Sequence, residues 1–357
     1  MRIAKQLDRL GVDAIEAGFA AASEGEMEAI KLIAKEGLRA EVFSFARGVK
    51  SDIDAVVDSG ANAIFLVIPA SDIHLQYKLR KSREDVLRLT VDCTQYAKDH
   101  DLIVEFGAED ATRSDPSFLK EMIATSISAG ADIISPCDTV GILTPEKAYA
   151  FFSDLIKDFP KAPFSAHCHD DFGMAVANSI ASLKAGVKEI HATINGLGER
   201  AGNAALEEIV VALKLLYNVE TSIKLDLLYD TSMLVSRLTG IPVQPNKAIT
   251  GENAFVHESG IHTHAVLNQP LTYEPIPPEI VGRTRRLAAG KHAGSRGLKA
   301  ALNEMSLNPN EEQLKEVFLR VKTLGDKGKR VTDADLQAIA ETVMGLPKLR
   351  SIRLEEL

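Results

Sequence analysis

The amino-acid sequence predicts an α/β chain: a TIM (β/α)8-type barrel lacking its first strand, followed by a small helical domain. Three observations carry this. Up to about residue 220, short apolar strands alternate with amphipathic helices. The strands are near-continuous apolar runs, as a parallel sheet covered on both faces requires. A phrase recurs as LGVDAI, SGANAIF, AGADII and AGVKEI. In it a glycine closes a helix and the next residues open a strand, the joint of a repeated βα unit.

The strands are read at DAIEAG (13–18), AEVFSFAR (40–47), AIFLVIP (63–69), LIVEFGAE (102–109), DIISPCD (132–138), PFSAHCHDD (163–171) and EIHATING (189–196). Between them the helices keep a 3.6-residue period. In SDPSFLKEMIATSISAG, Leu119, Met122, Ile123 and Ile127 share a face, Asp115-Pro116 makes a start and Gly130 a stop. A closed parallel barrel has eight strands. The chain opens inside a helix, IAKQLDRLG, with Ile3, Leu7 and Leu10 in phase, so the eighth strand is expected before Met1. An open doubly wound sheet is the structural alternative, weakened by the lack of Gly-x-Gly-x-x-Gly after any strand.

Beyond residue 220 the strands are expected to stop, which sets a barrel domain at 1–220 and helical subdomains with a linker at 221–357. Helices are read in LDLLYDTSMLVSRLTG, NAFVHESGIHTHAVL, SRGLKAALNEM, NEEQLKEVFLRVKTLGDKG and TDADLQAIAETVMG, the last with a Thr-x-x-Asp start and a glycine stop. The terminal SIRLEEL alternates like a strand.

Apolar residues make up 45% of the 357 and charged ones 25%, with a net charge of −9. The charges are interspersed. No basic stripe argues for nucleic acid, and no apolar run approaches the roughly 20 residues of a membrane helix. Cys93, Cys137 and Cys168 are too few and scattered for a disulfide framework. With no signal segment at the start, a cytoplasmic protein is expected.

The densest polar cluster is Ala166-His167-Cys168-His169-Asp170-Asp171. Strand alternation puts His167 and His169 on one side and Cys168 on the other. Two imidazoles roughly 6–7 Å apart along a strand can share a cation. The blander alternative is one packed histidine and one solvated. The next strand runs into Asn195-Gly-Leu-Gly-Glu-Arg-Ala-Gly-Asn203, where glycines allow close backbone approach and Asn203 offers a carbonyl oxygen, unless it only caps a helix. Two imidazoles with oxygen ligands suit Mn²⁺, Zn²⁺ or Mg²⁺. Glu109 closes its strand at the mouth, as a proton-transfer group or a plain loop carboxylate. Asp138-Thr139 ends another, with Thr139 able to donate to a bound carboxylate, and Glu16 ends the first. In the helical region His257, His262 and His264 cluster, with Tyr273 nearby, in a stretch equally open to an exposed polar role. No Ser-His-Asp elbow or phosphate-binding loop is present.

The segments IEAGFAAASEGE, GAEDATRSD, CDTVGILTPE, HCHDDFGMAVANS, NGLGERAGNAALEE, LTGIPVQPNKAITGENAFVHESGIH and YEPIPPEIVGR resemble the 2-isopropylmalate, homocitrate and citramalate synthase family. The resemblance implies condensation of acetyl-CoA with a 2-oxo acid and hydrolysis of the thioester. It implies His167, His169 and Asn203 as ligands of a divalent metal (Mn, Mg or Zn) and Thr139 on the substrate carboxylate. It also implies Glu109 at the mouth, and His262 and Tyr273 assisting deprotonation of the acetyl methyl in a partner subunit's barrel, hence a homodimer. Within the group the leading expectation is 2-oxoisovalerate, giving 2-isopropylmalate in leucine biosynthesis, a choice tilted by the terminal linker. Homocitrate and citramalate synthases are the alternatives, with a barrel lyase acting without acetyl-CoA and an inert truncated barrel subunit as further ones. The family's first strand, with a metal-binding aspartate and an arginine, precedes this chain's start. The expectation is therefore weakened metal binding, little activity, and no leucine feedback, since the regulatory domain is also absent.

Overall fold

A computed structural model describes residues 1–287, 294–328 and 331–346. The chain divides into two compact units, Met1–Val243 and Gln244–Leu357.

In the first unit the order is α1 (Arg2–Leu10), β1 (Ala14–Glu16), α2 (Glu24–Ala34), β2 (Glu41–Arg47), α3 (Lys50–Ser59), β3 (Ala63–Pro69) and the short α4 (Asp72–His74). It continues through α5 (Arg83–Asp99), β4 (Ile103–Glu109), α6 (Pro116–Ser128), β5 (Ile133–Asp138), α7 (Pro145–Asp158), β6 (Ser165–Cys168), α8 (Ala175–Ala185), β7 (Glu189–His191), α9 (Leu206–Leu216) and α10 (Leu228–Thr239). The seven strands form one all-parallel sheet in sequence order, the sheet of a (β/α)8-type barrel. Among the described residues β1 and β7 each pair on one side only.

The apolar runs do what their composition dictates. Every residue of β3 is buried. Ile64, Leu66 and Val104 face outward onto Ile30 and Ile53 of α2 and α3. Phe43, Phe65 and Val67 point inward with Cys137. Inside, Phe65 and Val67 press on the β4 backbone: a Cβ at Gly107 would meet them at 2.8 and 2.9 Å, so only glycine fits. Helix starts follow the side-chain chemistry. Asp115 caps α6 through the Phe118 N–H with Pro116 behind it, and Ser82 and Asp85 form a capping box on α5.

The seven strands lie where the apolar runs placed them, but β6 and β7 end sooner. Past Cys168 the chain turns, with the Ala175 N–H donating to Asp170, and past His191 Asn195 takes a left-handed conformation (φ 62°). Sequence reasoning set a domain change near 220. The compact units divide after α10, which stays with the barrel because Gln6 of α1 donates to the Thr231 hydroxyl at 2.8 Å.

The second unit contains β8 (Val256–His257), α11 (Gly260–Asn268), β9 (Arg286–Leu287), α12 (Ser295–Glu304), α13 (Glu311–Asp326) and α14 (Asp333–Met344). Two expectations need correction. Strands do not stop at 220, because β8 and β9 pair in parallel. Residues 253–267 are likewise not one helix: 256–257 are extended, and a helix begins only at Gly260. Two residues per strand are too few for a periodicity to show. Leu298, Leu302, Val317, Val321 and Leu336 make the core of α12–α14. Capping boxes at Asn310 and Thr332 start α13 and α14. SIRLEEL and the linker lie outside the described residues.

Candidate active site

β6 carries the centre of the site. Cys168 points outward and packs with Ala175, Ala204 and Ile209. His167 points inward, its ring 6.3 Å from that of Phe65. His169, one residue past the strand, is held by its N–H donating to the Asp138 carbonyl at 3.3 Å and by an antiparallel bridge to Asn203. The two rings converge until their Nε2 atoms are 3.2 Å apart. Two nitrogens each about 2.1 Å from one cation, at roughly 100° to each other, would be about that far apart.

Asn203 joins them. Its Nδ2 donates to the Leu197 carbonyl at 3.3 Å, which leaves Oδ1 free. That Oδ1 and the Nδ1 atoms of His167 and His169 are buried without a hydrogen-bond partner. A buried acceptor left so costs about 1–3 kcal/mol, so the Asn203 oxygen asks for a partner, whereas the two Nδ1 atoms point away from the converging Nε2 pair. A cation held by this set fits. Burial, reinforced by His191 and His169, holds the His167 imidazole well below its ordinary pKa. Burial and Arg200 hold His169 below its own. Both rings are thus kept neutral, the form that ligates metal.

The glycine loop packs tightly against its own chain. A Cβ at Gly198 would sit 2.1 Å from Asn203 Nδ2, and one at Gly202 (φ +102°) would sit 1.9 Å from the Gly196 carbonyl. These glycines make room for Asn203 and for the loop's own backbone. Arg200 ties the loops together: its guanidinium grips Asp171 at 2.7 and 2.8 Å and donates to the Thr139 carbonyl at 2.7 Å.

Thr139 Oγ1 accepts from the Asp110 N–H at 2.8 Å, which leaves its own hydrogen available to a ligand. Glu109 lies at the same end of the sheet, both oxygens held by Lys78 Nζ at 2.6 and 2.7 Å. Asp138 is buried as a loop anchor, accepting from the Ile142 and Leu143 N–H groups. Glu16, at the end of β1, is solvent-exposed and within electrostatic reach of His191 and Glu105. In the second unit His262 and Tyr273 stack, ring centroids 4.1 Å apart at 28°.

Sequence reasoning missed the layer beneath His167 and His169. His191 is the register partner of His167 across β6–β7, its ring 5.5 Å away. Its Nε2 lies 2.8 Å from Glu105 and 3.6 Å from Glu189. Burial alone would depress His191, but Glu105 and then Glu189 outweigh it and raise its pKa to about 10. The Ser165 hydroxyl also donates to Glu105. Glu105, Glu189 and His191 could by position hold a cation themselves. The imidazolium already pairs with Glu105 and lies near Glu189, whereas the Nε2 atoms of His167 and His169 meet only each other and Asn203 Oδ1 has no partner. Counted from the strand starts Ser165 and Glu189, both strands carry a histidine at the third position.

Residues 1–235 match the HMGL-like family, and residues 249–329 match the homocitrate synthase post-HMGL domain-like family. A protein of Methanothermobacter thermautotrophicus, provisionally named an (R)-citramalate synthase, is 57% identical over 357 residues, 100% of this chain and 72% of its own. A 2-isopropylmalate synthase of Methanocaldococcus jannaschii is 52% identical over 361 residues, covering 99% of this chain and 70% of its own. The crystal structure of the Bacillus subtilis HMG-CoA lyase superposes with a TM-score of 0.62 at 22% identity, over 68% of this chain and 86% of that one, a likeness of fold.

Proposed function

This chain belongs to the HMGL-like family and, within it, to the 2-isopropylmalate, homocitrate and citramalate synthase group, so it is an enzyme; we propose that it condenses acetyl-CoA with pyruvate to give citramalate and free CoA. The observation that supports such chemistry here is the approach of the His167 and His169 Nε2 atoms to 3.2 Å, next to Asn203, which is bridged to His169 and whose Oδ1 is buried without a partner. Members of this family use a divalent metal. Bound by these three side chains, it would supply Lewis-acid polarisation of the ketone.

The protein's own groups do the rest. The two neutral imidazoles and the asparagine oxygen hold the cation. The free hydrogen of Thr139 is placed to bind the oxo acid's carboxylate. Glu109, neutralised by Lys78, shapes the mouth without adding a net charge next to an anionic substrate. Tyr273 and His262 are assigned to removal of a proton from the acetyl methyl group, delivered to the barrel of a second subunit in a homodimer.

The choice of pyruvate departs from the sequence expectation of 2-oxoisovalerate, which leaned on the terminal segment outside the described residues. The relative at 57% identity favours citramalate, and the 52% relative keeps 2-isopropylmalate as the second reading. Free-thiol release from acetyl-CoA with pyruvate, 2-oxoisovalerate and 2-oxoglutarate decides it. A kcat/KM for pyruvate at least tenfold above the others is expected. A preference for 2-oxoisovalerate would establish the second reading.

A further inference from the structure

Tyr273 is followed directly by Glu274, and the two side chains meet different histidines of one segment. Tyr273 stacks on His262, while Oε1 of Glu274 lies 2.9 Å from Nε2 of His257. His257 sits on β8 and His262 in the first turn of α11, so one six-residue span, 257–262, receives two consecutive residues. Glu274 is also gripped by Arg285, whose Nε donates to Oε1 at 2.6 Å and whose terminal nitrogen donates to Oε2. The carboxylate is only 4% exposed. Its arginine partner, then His257, holds it below the usual carboxylate range, so it stays ionised. The backbone at this corner is equally fixed: the Tyr273 and Glu274 N–H groups both donate to the Pro270 carbonyl, at 3.1 and 3.0 Å.

The Tyr273 ring, by contrast, is 43% exposed, and His262 is exposed too. Exposed to solvent, the two rings gain little from the stack alone. One residue away lies the buried ion pair. A bidentate arginine on a carboxylate sets direction as well as distance.

We propose that Glu274, clamped by Arg285 and His257, is a positioning residue that sets the Tyr273–His262 stack, without itself touching substrate. This rests on the catalytic assignment of Tyr273 and His262 only for its effect on turnover; the placement of the rings is a separate, directly measurable claim.

The test uses the full chain with ¹³C-labelled histidine, in Glu274→Gln and, as a gentler variant, Arg285→Lys. Gln keeps the shape but turns an N–H toward a donor; Lys keeps the charge but loses the fork. The His262 ring-proton signal, shifted by the face of Tyr273, is expected to move in both variants toward its position in Tyr273→Leu, with circular dichroism unchanged. Turnover is expected to fall about 10²-fold, the order a misplacement of ~1 Å causes, with KM for the oxo acid unchanged. An unmoved His262 signal in both variants overturns the inference. If the signal moves but turnover does not change even in Tyr273→Phe, the clamp stands and the catalytic assignment of Tyr273 fails.

Discussion

Replacing Glu105 with Gln should unfold the barrel at a markedly lower temperature, and the deficit should vanish in alkali. Glu105 is 2% exposed, and His191, 2.8 Å away, has a 19% exposed side chain, so solvent screens this pair little. The His191 pKa rises from an ordinary 6.5 to about 10. A group raised on folding stabilises the native state fully below its unfolded pKa, and that stability is lost as pH climbs through the folded pKa. At pH 7 about three pH units of the rise remain, each ~1.4 kcal/mol, or roughly 4 kcal/mol. That agrees with the ~3–5 kcal/mol typical when one partner of a buried ion pair is removed. A loss of ~3 kcal/mol lowers Tm by roughly 6–12 °C in a unit of this size. Calorimetry of wild type and Glu105→Gln at pH 7 and pH 9.5 measures it. The gap between them should shrink to ~2 °C at the higher pH, because the wild type loses the same stabilisation there. A gap under ~2 °C at pH 7, or one independent of pH, would refute the buried ion pair.

Three further outcomes concern the site loops and the buried thiols. Asn203→Ala should lower bound metal at least tenfold by elemental analysis with the fold intact, and Gly198→Ala should do the same by driving a Cβ into the Asn203 amide. Arg200→Lys should cost under ~1 kcal/mol of stability, because the Arg200 side chain is 43% exposed, yet weaken metal affinity about 10–100-fold by titration, because it orients the ligand loops. Cys93, Cys137 and Cys168 should resist a disulfide reagent in the native chain and react once unfolded: all are buried, and burial pushes the Cys93 and Cys168 thiols up to about 11 and 12.

Much of this architecture was legible because it is local. Period-two alternation across residues 166–169 told which side His167, His169 and Cys168 face, and all three lie there. Asp115-Pro116 and Thr332-x-x-Asp335 announced helix starts through chemistry confined to four residues. What was hidden depends on register between distant segments. Nothing within β4 says that Glu105 meets His191, 86 positions on in the sequence; only the curl of the sheet brings them together. The Lys78 grip on Glu109 depends on the turn after β3 folding back over β4. The close packing of Gly198 on the chain's own Asn203 was hidden for the same reason.

The Arg200 strap also limits how such an enzyme can be re-engineered. One guanidinium binds the loops that follow β5, β6 and β7, so those three loops are a single inherited part. A chimera that grafts one of them from a relative with another oxo-acid preference leaves the arginine facing a stranger. Exchanging all three together, or confining changes to the opposite side of the rim, keeps the setting of His167, His169 and Asn203 whole while specificity is altered.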